Sequence, residues 1–412
     1  MMKYSTRKLK NGLTVIIQPD NSTPMATFSL LYGVGSRDED PNKTGIAHFF
    51  EHLMFSGSKN VESFDHAVQM AGGESNAFTS NDVTNYYITL PADNIETAFW
   101  VESDRMLNPV LTHEKLEVQR KVVIEEFKQR FLNQPYGDVN LYLLPLAYQT
   151  HPYRWPTIGS DASHIENMTY QEAQDFFNQY YQPQNAYLCV SGPVETNEMF
   201  AMAEKWFAQI PSTEMPFRQY PQEKSQEEPR FLTLERDVPS DAIFISYPMY
   251  SRLDPKYYAA DLLSDILSSG KSSRLFRNLT LNNPLFTDIQ AVITGSNDPG
   301  LFLISGRIDP KIELEEAEQA IYEQLEMVAN GDFSEQELQK VQNKAAANIA
   351  YSQMNALNNA LSLCNAAFLG DLTLIDKEES LYLQVTKEDI LAVAKEIFNP
   401  QKRSVIYYKS KK

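Results

Sequence analysis

The stretch "GIAHFFEHLMFSGS", residues 45–58, places two histidines and a glutamate within five positions of an apolar run. The whole chain of 412 residues has only 6 histidines. On a helix, His48 and His52 project from one face with their Cβ atoms about 5–6 Å apart. This spacing allows two imidazole nitrogens to bind one zinc ion at about 2.0 Å each. Glu51 lies beside them and is the natural carboxylate to accept a proton from a metal-activated water molecule.

The alternative interpretation is that two histidines lie by chance on the partly exposed side of an ordinary helix. With 6 histidines and 54 acidic residues in the chain, a His-x-x-acidic-His pattern arises by chance roughly once in a hundred such sequences. A catalytic zinc site also needs a third protein ligand and one open position. The pattern therefore predicts a further ligand elsewhere in the sequence.

An internal duplication is indicated by three pairs of similar segments that occur in the same order. The pairs are 47–57 with 260–270, 111–126 with 333–348, and 168–192 with 385–410. In the last pair, 14 positions separate Thr169 from Pro183 and likewise Thr386 from Pro400. The offsets of 213, 222 and 217 residues fit divergent copies of one unit with small insertions.

The second copy lacks the two histidines and the glutamate of the first. Under the alignment, His48, Glu51 and His52 correspond to Asp261, Ser264 and Asp265, while the intervening apolar positions stay apolar. The fold therefore does not require these three side chains. Their presence in the first copy indicates a function that is specific to that copy.

Strand-like patterns at the start of each copy, followed by long amphipathic helical patterns, predict an α+β fold. We expect two structurally similar domains, each a mainly antiparallel sheet covered by helices on one face. The predicted domains are 1–215 and 232–412, joined by a Pro- and charge-rich linker at 216–231. "NGLTVIIQPD" and "MATFSLLYGVGS" are expected to pair as a hairpin, and a second strand pair is expected around "SNAFTSNDVTNYYITL".

Composition narrows the range of partners and compartments. A formal net charge of -18 argues against a nucleic-acid-binding surface. No apolar run predicts a signal peptide or a membrane span, so we expect a cytoplasmic protein without membrane contact. Cys189 and Cys364 lie in apolar contexts and are expected to be two reduced core thiols rather than a disulfide.

The order His-x-x-Glu-His is the inverted zinc motif of the inverzincins. The string "YGVGSRDEDPNKTGIAHFFEHLMFSGS" resembles the pitrilysin-type zinc metallopeptidases, and so do "GGESNAFTSNDVTNYY" and "HPYRWPTIGS". The resemblance covers nearly the whole chain, whose length is similar to that of half-length members such as the mitochondrial processing peptidase subunits and bacterial two-chain relatives. It implies a metallohydrolase-like duplicated α/β sandwich, one zinc ion per chain and hydrolysis of peptide bonds.

The resemblance also implies the third ligand, a Glu at the second acidic position of a V-V-x-E-E pattern. In "KVVIEEF" this residue is Glu126, and its repeat counterpart is Asn348. Glu125 is the rival, but a helix points adjacent side chains about 100° apart, so only one of the two faces the metal. Where the family often has an acidic residue seven positions earlier, this chain has Gln119, which can still hydrogen-bond a ligand but adds no charge.

By resemblance, an extended peptide substrate pairs with an edge strand near "ESNAFTS", in the region of Asn76 and Ala77. Such backbone pairing is expected to favour unfolded peptides and oligopeptides over folded proteins.

One departure from the family bears on partners. After a string like "SSRLF", the family's second copy carries an Arg and a Tyr seven residues apart that hold the substrate, whereas this chain has Thr280 and Thr287. Neither threonine supplies a guanidinium or a phenol. We therefore expect a dimer in which a zinc-free paralogue supplies the Arg/Tyr pair. A homodimer without the pair and a non-catalytic peptide-binding or assembly subunit are the alternatives.

Overall fold

The fold is given by a computed structural model that describes residues 2–215 and 217–411. The strands are β1 (Ser5–Lys8), β2 (Thr14–Pro19), β3 (Met25–Tyr32), β4 (Glu74–Thr79), β5 (Thr84–Pro91), β6 (Ala186–Gly192), β7 (Arg230–Arg236), β8 (Ala242–Pro248), β9 (Phe286–Ile293), β10 (Leu301–Ile308) and β11 (Ser404–Ser410). The first eight helices are α1 (Ile46–Leu53), α2 (Phe64–Met70), α3 (Ile95–Leu107), α4 (His113–Phe127), α5 (Val139–Ala147), α6 (Ala162–Glu166), α7 (Tyr170–Tyr180) and α8 (Thr196–Phe207). The others are α9 (Tyr257–Ser268), α10 (Arg274–Phe276), α11 (Leu314–Ala329), α12 (Glu335–Ser352), α13 (Ala356–Phe368), α14 (Leu374–Leu383) and α15 (Lys387–Ile397).

The chain packs as two compact units. The first consists of residues up to Lys128 together with Trp155–Tyr220 and Ala350–Lys377. The second consists of Gln129–Arg154, Pro221–Ile349 and the residues from Glu378 onwards. Each unit contains one sheet with its own helices, as expected for an α+β fold.

The two sheets have the same topology. The first has the strand order β1-β2-β6-β3-β5-β4, and the second has the order β7-β11-β8-β10-β9. If β1 is left out and the strands of each sheet are numbered along the chain from one to five, both sheets have the spatial order 1-5-2-4-3. In each sheet the first and last strands pair in parallel and the other neighbours are antiparallel. The predicted duplication and the mainly antiparallel sheets are thereby confirmed.

The predicted hairpin between β2 and β3 is wrong. The turn at Asn11 and Gly12, where Gly12 has φ +96°, joins β1 to β2 instead. β6 lies between β2 and β3, parallel to one and antiparallel to the other. The reason is that β6 is apolar and buried almost throughout, as a central strand must be. The second predicted pair, β4 with β5, is present.

Helices cover both faces of the first sheet, which extends the one-face arrangement predicted. Three successive residues of β2, Val15, Ile16 and Ile17, are fully buried, although side chains of a strand alternate between faces. On one face Phe28 contacts Phe99 of α3, with ring centroids 5.0 Å apart. On the other face lies α13, whose buried apolar residues cluster with Ile16.

α5 and α13 make the units discontinuous in sequence. α13 lies in the second sequence repeat but packs in the first unit, and α5 lies in the first repeat but packs in the second unit. Their first residues, Val139 and Ala356, are 217 positions apart, so they are matching helices of the two copies. The units defined by packing therefore differ from the predicted ranges 1–215 and 232–412, because each helix buries its apolar face against the other repeat's sheet.

Within the predicted linker 216–231, position 216 lies outside the described residues. Residues 217–229 form neither helix nor strand, and β7 begins at Arg230.

Cys189 and Cys364 are free, buried thiols in one apolar cluster. Among the described residues, none of the helices combines the length and apolarity needed to cross a membrane.

Candidate metal centre

α1 positions the two histidines and Glu51. It starts after Gly45, which has φ +94°, a left-handed conformation that favours glycine. A Cβ atom at this position would lie 2.5 Å from the carbonyl oxygen of Ile158. Phe49 and Phe50 are fully buried, so the apolar face of α1 packs into the unit and the adjoining face is left for the polar side chains.

α4 brings the third predicted ligand to the same place. Its first turn is capped by Thr112, whose side chain accepts a hydrogen bond from the backbone N–H of Lys115. Leu116, Val123 and Phe127 are its buried residues, and they fix which face of α4 is turned inward. Glu126, next to Phe127, keeps 30% of its side chain exposed.

His48, His52 and Glu126 converge. The Oε2 atom of Glu126 lies 3.7 Å from Nε2 of His48 and 3.3 Å from Nε2 of His52. The three potential ligand atoms lie within 4.8 Å of one another. Ligands at about 2.0 Å from a tetrahedral zinc ion are separated by about 3.3 Å. Two imidazoles and a carboxylate at these separations fit zinc in donor type and geometry.

Glu125 and Glu126 have different surroundings. The Glu125 carboxylate makes an ion pair with Lys128 at 2.7 Å, and 61% of its side chain is exposed. Glu126 is the acidic residue of the pair that lies beside the two histidines. Within residues 2–215 and 217–411, these three side chains form the only such cluster of potential metal ligands.

Glu51 lies next to this cluster but is held by a different element. The hydroxyl of Thr79, the last residue of β4, donates a hydrogen bond to Oε2 of Glu51. Burial raises the pKa of Tyr181, and the nearby charge of Glu51 raises it further. Thr79 was missed by sequence reasoning, although it lies in the quoted segment "ESNAFTS", because its spacing from Glu51 carries no signal.

Asn76 and Ala77 lie on β4, which is an edge strand. β4 pairs with β5 on one side only, and the side chains of Asn76 and Phe78 are exposed. The backbone N–H of Ala77 donates to Oδ1 of Asn76. The structure therefore places both predicted substrate-binding residues at an open sheet edge that packs against α1.

Gln119 lies on α4, and its side-chain hydrogen bond goes to Ser56 and not to a predicted metal ligand. Its Nε2 atom donates to Oγ of Ser56 at 3.4 Å. The structure therefore places Gln119 beside the segment that follows α1 rather than on one of the three clustered side chains.

The matching region of the second unit is filled by other polar contacts. The hydroxyl of Tyr382 donates to Asp261, the counterpart of His48. Nζ of Lys344 lies 3.4 Å from Oδ1 of Asp265, the counterpart of His52. Burial raises the pKa of Asp261, while the bond from Tyr382 lowers it. Asp261 and Asp265, the counterparts of the two histidines, are thus engaged by a phenol and a lysine ammonium.

Thr280 and Thr287 are also in the second unit. Thr280 lies in a π-helical turn, Arg277–Asn282, which continues α10. Thr287 is exposed on β9, and its hydroxyl donates to the carbonyl of Arg307 at 3.2 Å. Both positions therefore lack the guanidinium and the phenol that the family resemblance implies there.

Two family models match this chain. The model described as "Insulinase (Peptidase family M16)" matches residues 14–161, and the one described as "Peptidase M16 inactive domain" matches residues 167–345. Together the two matches cover the N-terminal repeat and most of the C-terminal one.

Among known proteins, the zinc protease PqqE of Helicobacter pylori is 29% identical over 414 residues, covering 99% of this chain and 93% of that protein. The crystal structure of a protease from Helicobacter pylori superposes with a TM-score of 0.95 at 29% identity, covering 99% of this chain and 100% of that one. The mitochondrial-processing peptidase subunit beta of Saccharomyces cerevisiae is 29% identical over 214 residues, 51% of this chain and 46% of that protein.

The topology, the His-His-Glu cluster and these matches define a peptidase-type duplicated α/β fold. The chain belongs to the M16 family of metallopeptidases, the pitrilysin-type family, as a half-length member.

Proposed function

We propose that this chain is a zinc-dependent endopeptidase that hydrolyses peptide bonds in unfolded peptides or oligopeptides. The observation that carries the proposal is the convergence of His48, His52 and Glu126, with the Glu51 carboxylate held beside them. A structural zinc site would be closed by four protein ligands. This cluster has three, so a coordination position stays open for chemistry.

Each residue has a distinct role in the proposed reaction. His48, His52 and Glu126 hold the metal. Zinc in such a site supplies Lewis acidity to the attacking water molecule and to the scissile carbonyl group. Glu51 accepts the proton of that water molecule and then delivers it to the leaving amine. Thr79 keeps the Glu51 carboxylate turned toward the reacting groups.

The open edge of β4 is the proposed substrate platform. An extended peptide that pairs with Asn76 and Ala77 would extend the sheet by one strand, and α1 packs against this strand. Such pairing reads the substrate backbone more than its side chains. A folded protein does not present a free extended segment, which is why unfolded peptides are the proposed substrates.

The test combines zinc content with cleavage of a quenched fluorescent peptide. Glu51→Gln is expected to keep zinc and lose about 10²- to 10⁴-fold in cleavage rate, the usual contribution of general acid–base catalysis. Glu126→Gln is expected to lose zinc. Glu125→Gln is the matched control on the same helix, and both zinc and cleavage should be retained. Cleavage by Glu51→Gln at the wild-type rate would refute the assigned role.

A second candidate function is a non-catalytic peptide-binding or assembly subunit. It is favoured by Thr280 and Thr287, which replace the family's substrate-holding Arg and Tyr. In that case no cleavage would be detected with zinc bound, alone or with a paralogue, while peptide binding would persist.

We further propose that the chain acts as the catalytic subunit of a dimer. The similar yeast protein is itself a subunit, as its name states. A zinc-free paralogue that carries the Arg/Tyr pair would complete the substrate site, and a homodimer is the alternative.

A further inference from the structure

The N-terminus of α1 is closed by a residue that lies outside the zinc motif. Gly45, the N-cap residue, has no side chain with which to cap the helix. Glu39, six positions earlier, takes over this task. One of its carboxylate oxygens accepts from the N–H of Gly45 at 2.8 Å, and the other accepts from the N–H of Ala47 at 2.9 Å. Both oxygens of one buried carboxyl group therefore bind the first turn.

Glu39 is itself fixed by an indole. Nε1 of Trp155 donates to Oε2 of Glu39 at 3.0 Å and lies 3.0 Å from the carbonyl oxygen of Ser36. Glu39 is 7% exposed and Trp155 is 3% exposed. Burial raises the pKa of the Glu39 carboxyl above its usual value, although the three hydrogen bonds act in the opposite direction. A buried carboxyl group with three donors has little freedom to move.

The cap acts on the part of α1 that carries a metal ligand. His48 is the third residue of this eight-residue helix, directly after Ala47. The first N–H groups of a helix have no partner within it and depend on capping groups. A helix of two turns also gains little from its own propagation. The position of the His48 backbone, and hence of its imidazole, depends on whether the first turn is held.

We propose that Glu39 is a positioning residue that sets the zinc affinity of the His48, His52 and Glu126 cluster by holding the first turn of α1. The proposal rests on the proposed function, since it requires that the cluster bind zinc. It assigns to Glu39 a role distinct from general stabilisation, because the helix that it caps delivers two of the three ligands.

The first unit contains a matched control for a merely structural cap. Glu195 caps α8, where its carboxylate accepts from the N–H groups of Asn197 and Glu198 at 2.8 and 3.0 Å. α8 carries none of the clustered ligands. Loss of either cap should destabilise the fold, but only loss of the Glu39 cap should change zinc binding.

The experiment measures the zinc dissociation constant of the folded full-length chain by competition with a chromogenic chelator. Glu39→Gln keeps the shape of the side chain but turns one accepting oxygen into an N–H donor that faces a backbone N–H. We expect zinc binding weakened by about 10-fold, the lower end of the effect of removing groups that orient metal ligands. Glu195→Ala, which removes the single oxygen that accepts both capping bonds, should bind zinc within about 2-fold of wild type, since it only affects a remote cap.

Each other outcome has a separate meaning. Equal zinc affinity of wild type, Glu39→Gln and Glu195→Ala would overturn the role of Glu39 and leave the proposed function intact. A wild-type chain that binds no zinc would instead refute the proposed function. If Glu39→Gln does not fold, Trp155→Phe replaces it, because this variant keeps an aromatic ring and removes the N–H donor. Unchanged zinc affinity in a folded Trp155→Phe would count against the proposal, and a several-fold loss would support it.

Discussion

Glu51 and Glu126 are both glutamates, but they have different neighbours, and this difference supports the different roles proposed for them. Glu126 lies against two imidazoles, 3.3 and 3.7 Å from their Nε2 atoms. Glu51 accepts a bond from the hydroxyl of Thr79 and lies outside the cluster of potential ligands. A carboxylate bound by a metal has its lone pairs engaged, whereas one held by a hydroxyl remains available to accept a proton.

Thr79→Val tests how much the orientation of Glu51 matters. The variant keeps the shape of the side chain and removes the donor, and a hydrogen bond to a charged group contributes about 1.5–3 kcal/mol. We expect kcat/KM for a quenched peptide to fall about 10-fold or more, with zinc content unchanged. Thr89→Val is the control, because the Thr89 hydroxyl contacts Thr27 in the same sheet. Equal activity of the two variants would contradict the role of Thr79.

Spacing within the sequence indicated only those site residues that share one helix, and it gave no signal for residues that reach α1 through the fold. His48, Glu51 and His52 share one helix, so their spacing alone reveals a common face. Glu126 followed only from the family resemblance. Thr79 and Glu39 reach α1 through the fold, from a strand end and from a preceding loop. No periodicity connects such residues before the backbone is known.

Helix starts were predictable because their signals are also local. Thr169 and Thr386, which hold equivalent positions in the repeat, each form a capping box at a helix start, with Glu172 and Asp389 respectively. The β2–β3 pairing was not predictable in the same way. Two apolar strands joined by a short connection read as a hairpin, and only the later strand β6 shows that another partner lies between them.

Pairing of a substrate with β4 predicts a periodic response to backbone methylation of the peptide. In an added strand, alternate N–H groups point toward the sheet and the others point away. N-methylation at alternate positions should lower kcat/KM about 5-fold each, as expected for about 1 kcal/mol per lost hydrogen bond. Methylation at the intervening positions serves as the control. A response without this alternation would contradict strand addition.

A loop of the second unit gives a pH prediction. Glu223 accepts hydrogen bonds from the backbone N–H groups of Gln149, Thr150 and His151. Burial raises the pKa of Glu223, but these bonds outweigh it and hold the pKa below the usual 4.5. A carboxyl whose pKa is lower in the folded state stabilises the fold above its unfolded pKa, and this contribution is lost as the pH falls.

Unfolding by denaturant at several pH values should therefore distinguish Glu223→Gln from wild type. The variant is expected to be less stable at pH 7, and the difference should shrink as the pH falls below 4.5. Glu227→Gln, an exposed neighbour, should match wild type throughout. A difference independent of pH would rule out the ionised Glu223 as its source.

The whole chain is two copies of one topology that have exchanged a helix. α5 and α13 each pack in the unit formed mainly by the other copy. The repeat could be found from sequence because caps, spacings and apolar positions were retained. The exchange of helices could not be predicted from the sequence, because a helix has the same apolar pattern whichever of two similar sheets it covers.

The second copy has not retained the potential zinc ligands of the first, and this loss bears on the prediction of a partner chain. In the second unit Asp261 and Asp265 are engaged by Tyr382 and Lys344, and Thr280 and Thr287 stand where the family resemblance implies an Arg and a Tyr. Purification of the tagged chain from its native cells should recover a similar half-length protein without the zinc motif. Addition of that protein should raise peptide cleavage. Recovery of a homodimer alone, with full cleavage activity, would contradict the two-chain proposal.

The most direct test is anomalous diffraction at the zinc edge from crystals of the metal-loaded protein. We expect one peak per chain, about 2.0–2.2 Å from the two imidazole nitrogens of His48 and His52 and from a carboxylate oxygen of Glu126. A metal-replete crystal in which the imidazoles point apart, or in which Glu126 is remote from the ion, would contradict the proposed hydrolytic site.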